Sequence, residues 1–371
     1  MNDIHIAGTG IWFPDEVITN DEIVSSFNSY VDNFNNENKN SIDNGDVVPM
    51  EYSSSAFIEK ASGIKTRHVI DKKNILDIKK MMPSVKHEDE SRLSIHAIAG
   101  IEAAKKAMKQ ANVSADEIDG VILGTSHAAR NYPSVAIEIQ NELGIEGYAY
   151  DMLVGCSSTT FAINNAFSDI SSGLAKTILV INPEISTPFV NYTKRDIHFI
   201  FGDGCVATVV SKEKTSENCF KIIDRKLVTK FSNNIRSDWS YLVRAASDEK
   251  SIEDLLFYQN GNSVFKEVCP MVAEFISSQL TANNMQPSDI SKFWLHQANS
   301  RMVNLIVSKV INSDDFDESL APLPIQKFGN LASAGSMFAF NLHNDLKQGE
   351  KGIICSFGAG YSVCSMIVEK I

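Results

Sequence analysis

"NVSADEIDGVILGTS" at residues 112–126 and "NNMQPSDISKFWLHQA" at residues 283–298 follow one pattern. A long helix-like segment precedes each, "SRLSIHAIAGIEAAKKAMKQA" in the first case and "NGNSVFKEVCPMVAEFISSQLTA" in the second. A polar turn, an acidic residue, an isoleucine and an apolar strand then come in the same order. An α/β unit is therefore present twice. Around the first copy, the strand-like pieces "DIHIAGTGIWF", "YAYDMLVG" and "KTILVINPEI" alternate with the helix-like "SVAIEIQNELG" and "STTFAINNAFSDISSG". Such alternation predicts an α/β protein with a largely parallel sheet covered on both faces. The halves divide between about 210 and 250, where "SKEKTSENCFK" and "RAASDEKSIED" lack an apolar period; we set them at 1–215 and 216–371. Two polar stretches, about 28–52 and 72–92, read as surface insertions. The first is asparagine-rich and reads as plain loop.

Composition narrows the function. The 371 residues are 43% hydrophobic, enough for one large core or two ordinary ones, and the net charge is −12. An acidic chain is not drawn to nucleic acid or anionic membrane as a whole, so small molecules or proteins are the expected partners. The six cysteines, Cys156, Cys205, Cys219, Cys269, Cys355 and Cys364, form no C-x-x-C pair, and "MNDIHIAGTG" has no charged and apolar leader pattern. A reducing cytoplasm, no zinc or other metal site and no membrane span are expected.

Chemistry centres on "DMLVGCSSTTFAI", 151–163, which puts Cys156 at a strand-to-helix junction. There, unpaired N–H groups and the positive helix end favour thiolate. Free cysteine is also among the most buried residue types, so position alone leaves nucleophile and core residue both open. A nucleophile needs a nearby base or cation and donors for an oxyanion. His296 ends the apolar strand of the second copy, where open α/β sheets present ligand-contacting residues. Asn330, in "KFGNLASAGS", starts a small-residue helix and has a plain alternative as a cap or turn. The remaining seven histidines read as surface or core residues.

Together, "GCSS" at Cys156, "HQANSR" at His296, "FGNLASAGS" at Asn330, "FGDG" at 201–204 and "SFGAGYS" at 356–362 resemble the β-ketoacyl-acyl carrier protein synthase III family. The resemblance spans essentially the whole chain. It implies a thiolase-like fold, with two duplicated βαβ-type halves in a layered αβαβα arrangement, as a homodimer. It also implies that Cys156 carries the acyl group, that His296 and Asn330 stabilise an enolate, and that backbone N–H groups of Cys156 and Ala359 form an oxyanion hole. The family usually has glycine where Ala359 stands. Acyl carrier protein and acyl thioesters become the expected partners, with no separate cofactor. Arg301 is implied in carrier-protein binding; because an acidic enzyme must meet an acidic carrier protein through a local cationic patch, Lys309, two turns further along the same helix, is a second candidate.

Departures suggest specialisation. Phe57 and Ala61 occupy the places of a tryptophan and an arginine that grip coenzyme A, with Lys60 the remaining cation for a phosphate. Tyr132 occupies the place of an acyl-pocket phenylalanine that reaches across the dimer. The insertions and the phrases "ENKNSIDNGDVVP", "FIEKASGIKTRHVI", "VAIEIQNELGI" and "HFIFGDG" look like a longer branch, which includes medium-chain synthases and ketosynthases that form dialkylresorcinols or cyclohexanediones; "MLVGCSS" departs from the "ACSS"-type run of the fatty-acid members and points to specialised metabolism. The expected donors are medium-chain, branched or unsaturated acyl groups, joined to a malonyl or β-ketoacyl carrier-protein thioester. The alternatives are a housekeeping initiator of fatty-acid synthesis, a chalcone-synthase-like polyketide enzyme and a non-catalytic carrier-protein scaffold.

Overall fold

The computed structural model describes residues 3–85, 93–237 and 255–371. The first half begins with β1 (His5–Trp12), β2 (Val17–Thr19), α1 (Asn20–Glu37), α2 (Lys39–Asp43), α3 (Ser55–Ser62), β3 (Thr66–His68) and α4 (Lys72–Leu76). It continues through α5 (Ile95–Ala111), β4 (Gly120–Gly124), α6 (Val135–Leu143), β5 (Tyr148–Met152), α7 (Ser158–Ser172), β6 (Thr177–Ile185) and β7 (Asp203–Ser211). The second has β8 (Phe220–Ser232), β9 (Ile235–Ser237), β10 (Phe257–Gln259), α8 (Gly261–Ala282) and β11 (Ile290–Leu295). It closes with α9 (Ser300–Ile311), α10 (Ile325–Phe328), α11 (Gly335–Leu342), β12 (Lys351–Gly358) and β13 (Gly360–Lys370).

The duplicated pattern folds the same way twice. Each copy leaves its helix through an asparagine at positive φ, Asn112 or Asn284, and enters a short 3-10 turn closed by a capping box. The first box pairs Ser114 with Glu117 and the second pairs Gln286 with Asp289. Each box satisfies N–H groups that a short turn leaves free. β4 and β11 follow.

Nine strands form one hydrogen-bonded sheet in the order β11-β12-β13-β8-β1-β7-β6-β4-β5. Outward from its centre, where β1 and β8 pair antiparallel, the strands run β7, β6, β4 on one side and β13, β12, β11 on the other. The sheet is mixed rather than largely parallel. Among the described strands of this sheet, β4 with β5, β4 with β6 and β11 with β12 pair in parallel and the rest antiparallel. In each half the last two strands, β6 with β7 and β12 with β13, pair antiparallel without an α-helix between them. The buried runs of β6 and β7 gave the same apolar signal that parallel strands give.

Five layers result. α5 and α6 pack with one face of β4, β6 and β7, and α8 and α9 with one face of β11, β12 and β13. α7 and α11 lie between the two half-sheets, sharing a cluster that includes Ile122, Val180, Trp294, Ile354 and Met366. The fold is the expected αβαβα arrangement. The expected division at 215/216 falls between β7 and β8.

The first insertion is not plain loop. α1 runs through Glu37 from a capping box of Thr19 and Glu22, and buries Ile23, Phe27 and Val31. Those residues are spaced i, i+4, the stripe of one helix face, which the asparagine content obscured. In the second insertion α4 forms over 72–76, and residues 86–92, including His87, lie outside the described residues. So does the polar stretch 244–254. No helix among the described residues is long and apolar enough to cross a membrane.

Candidate active site

Cys156 sits in a 3-10 turn, Gly155–Ser157, between β5 and α7. Gly358 at the end of β12 abuts it so closely that a Cβ there would lie 2.5 Å from Cys156 Cβ. Only glycine lets the two halves meet at this point. His296 follows β11 and is held by its N–H, which donates to Cys355 O at 2.8 Å. Asn330 bridges to Phe201: its N–H donates to Ile200 O at 2.9 Å, and its carbonyl accepts from Gly202 N at 3.2 Å.

These three residues line one cavity of about 370 Å³. Asn330 Oδ1 accepts from Ala332 N–H at 2.9 Å, which fixes the amide with its NH2 free to donate. His296 is buried, with its ring edge-on to Phe357 at 5.3 Å. Burial pushes its pKa down to about 4, although the Ala332 backbone favours the charged form. The ring is therefore neutral near pH 7, with one N–H to give. Its Nδ1 is buried without a partner. A proton on Nε2 thus makes that nitrogen the donor available to the cavity.

Cys156 also borders a second, mainly apolar cavity of about 70 Å³, reached by Gly155, Ala332, Ala359, Phe189 and His127. His127 stacks on Phe189, with ring centres 3.7 Å apart. Phe201, Ile235 and Phe257 wall both cavities. His296 and Asn330 face only the larger one; Ala359 faces only the smaller. The backbone of Ala359 and that of Cys156 itself favour the thiolate. Burial, then the Glu184 charge, outweigh them and push the thiol up to about 12. The thiolate expected at a helix start is not the resting form.

The other candidates spread out. Phe57 and Ala61 line the larger cavity, while Lys60 is exposed on α3 outside its lining. Arg301, in the first turn of α9, and Lys309, in its last, are both exposed. Tyr132 is 85% exposed and lines neither cavity. The sequence did not single out Arg195, whose guanidinium lies 4.0 Å from the Phe57 ring centre while its Nε donates to Tyr52 O at 2.7 Å. It also missed Glu184, a carboxyl inside the wholly buried β6. An acidic residue in an apolar strand run was the available signal.

Residues 150–230 match the family described as 3-oxoacyl-[acyl-carrier-protein] synthase III, and residues 280–370 match its C-terminal part. A β-ketodecanoyl-[acyl-carrier-protein] synthase of Pseudomonas aeruginosa is 44% identical over 94% of this chain and 100% of its own. The chain belongs to the 3-oxoacyl-acyl carrier protein synthase III family. A synthase III of Pseudoalteromonas atlantica is 26% identical over 98% of both chains. The fold of this synthase is shared with the Aquifex aeolicus 3-oxoacyl-[acyl-carrier-protein] synthase III, at a TM-score of 0.76, 24% identity and 99% coverage of both chains. It is shared equally with the priming β-ketosynthase of the R1128 polyketide pathway, at 0.77 and 20%, covering 99% of this chain and 96% of the other. The synthase is thus an acyl-transferring condensing enzyme, as the resemblance implied.

Proposed function

We propose that this synthase joins a medium-chain acyl group, held on Cys156, to a malonyl unit on acyl carrier protein. The observation that carries the reading is the position of Cys156 between two cavities of different character. The larger holds His296 and Asn330 and suits a thioester arm with its carbonyl; the smaller is apolar and suits an acyl chain. In the first step the Cys156 sulfur attacks the donor thioester carbonyl, and the old carbon–sulfur bond breaks. The thiol proton leaves with the departing thiol. The N–H groups of Cys156 and Ala359 receive the oxyanion.

In the second step the malonyl carboxylate leaves as carbon dioxide, and its bonding electrons form an enolate. His296 Nε2–H and Asn330 Nδ2–H donate to the enolate oxygen. Each donor aimed at charge that develops in the transition state is worth about 2.7–4 kcal/mol. The enolate carbon attacks the Cys156-bound acyl carbonyl, the carbon–sulfur bond breaks, and the sulfur recovers a proton. Thioester chemistry of this kind needs no further cofactor.

An eight-carbon donor extended by two carbons gives the β-ketodecanoyl group in the name of the Pseudomonas aeruginosa relative. The Ala359 methyl beside Cys156 in the smaller cavity supports a straight chain over bulk next to the carbonyl. A β-ketoacyl thioester as acceptor, with cyclisation of the product, is the variant reading. We place the carrier protein at Arg301 and Lys309, and coenzyme A, where it is the donor, against Phe57 and Lys60. Tyr132, projecting from one subunit, suits a homodimer in which it meets its partner. All six cysteines are free, which suits the cytoplasm.

Competition between acetyl- and octanoyl-coenzyme A, with malonyl carrier protein as acceptor and mass spectrometry of the product, tests the substrate. Octanoyl should win, giving a linear β-ketodecanoyl product. An acetoacetyl product would return the enzyme to a housekeeping role, and a cyclic diketone from a β-ketoacyl acceptor would favour the variant.

A further inference from the structure

Glu184 is buried in β6, yet it reaches both halves of the molecule. Its Oε1 accepts from Ser126 N at 2.9 Å and Ser126 Oγ at 3.2 Å, just beyond the end of β4. The same oxygen accepts from Ser333 N at 3.2 Å and from Ser333 Oγ, in the turn after Asn330. Among the described residues nothing donates to its Oε2. Glu184 lines neither cavity.

The turn it grips sets one donor of the larger cavity, the Asn330 amide. Ala332 has φ +42°, a left-handed conformation that a residue with a Cβ keeps only when its surroundings hold it. Ala332 N–H fixes the amide face of Asn330. Ser333, the next residue, is held by Glu184 on one side, while its carbonyl accepts from Thr159 Oγ1 at 2.6 Å. Release of Ser333 frees Ala332, and with it the aim of Asn330.

We propose that Glu184 is a positioning residue for condensation: it anchors the Ala332–Ser333 turn that aims Asn330, without touching substrate. The proposal rests on the ketosynthase reading above. What matters is the acceptor at Oε1. Burial pushes the carboxyl up to about 7, so the neutral acid is well populated near neutral pH. Glutamine mimics that neutral form and can present the same oxygen to the same four donors.

The test uses the full-length enzyme and separates the half-reactions. Self-acylation by octanoyl-coenzyme A is read by intact mass; condensation by enzyme acylated beforehand is read as kcat and KM for malonyl carrier protein. Glu184→Leu should lower condensation kcat about 100-fold, the order lost with one oxyanion donor. Its KM should stay within about threefold and its self-acylation within about fivefold of the wild type. Glu184→Gln should keep kcat within about fivefold, and Ser333→Ala should lose about tenfold in kcat alone, since each changes the anchor less. Condensation by Glu184→Leu at the wild-type rate would overturn the proposal. So would a Gln variant as impaired as the Leu variant, or equal loss of both half-reactions in Ser333→Ala. Should the Leu variant not fold, the Gln and Ser333 variants decide. Wild-type enzyme that neither self-acylates nor condenses would instead sink the ketosynthase reading itself.

Discussion

Cys156 shows how competing terms settle a single group. The helix start that follows it offers about 0.3–1 kcal/mol toward the thiolate, less than the 1.36 kcal/mol of one pKa unit. Burial and the neighbouring Glu184 carboxyl act the other way and prevail, so the thiol sits near 12. For an acid with a raised pKa, the thiolate fraction climbs with pH until that value is reached. Alkylation of Cys156 by iodoacetamide, followed by peptide mass spectrometry, should therefore accelerate about tenfold per pH unit from pH 6 to 9 without levelling. A plateau near pH 7 would show an activated resting thiolate. The identity of Cys156 as a candidate was legible from its strand–turn–helix setting. Its protonation was not, because its burial, and the approach of Glu184 28 positions further along the chain, come about only through the fold.

At the scale of elements, close packing of β1 on α5 carries the first half. A Cβ on Gly10 would lie 2.3 Å from Ala103 O and 2.5 Å from Ala107 N, and one on Gly8 would lie 2.5 Å from Ala111 N. The glycines of the strand and the alanines of the helix thus form one contact, and backbone atoms cannot swing aside as a side-chain end can. Gly10→Ala should cost at least about 1–3 kcal/mol, read as a lower urea midpoint with an unchanged m-value. An unchanged midpoint would mean that the helix can ride outward freely. The elements themselves were largely readable: the two capping-box turns and their strands follow directly from the repeated polar-acidic-isoleucine pattern. Strand direction was not, since β6 and β7 are buried on both faces and periodicity carries no sign of direction. α1 was hidden by composition, although Ile23, Phe27 and Val31 had the spacing to show it.

At the scale of the whole molecule, the fold brings a cysteine from one half and a histidine and an asparagine from the other to one cavity. The motifs named those three residues from the chain alone. The second cavity was not legible, because its walls come from β9, β10, the segment after β4 and the loop around Phe189, which only the fold assembles. Cys156 lines both cavities and is the residue that carries the acyl group between them in the proposed reaction. Intact mass and peptide mapping after exposure to octanoyl-coenzyme A test it most directly. One acyl group per chain should appear on the peptide containing Cys156, be absent from Cys156→Ala, and leave the five other cysteines unmodified. A covalent acyl group retained by the Cys156→Ala enzyme, or found on another residue of the wild type, would contradict it.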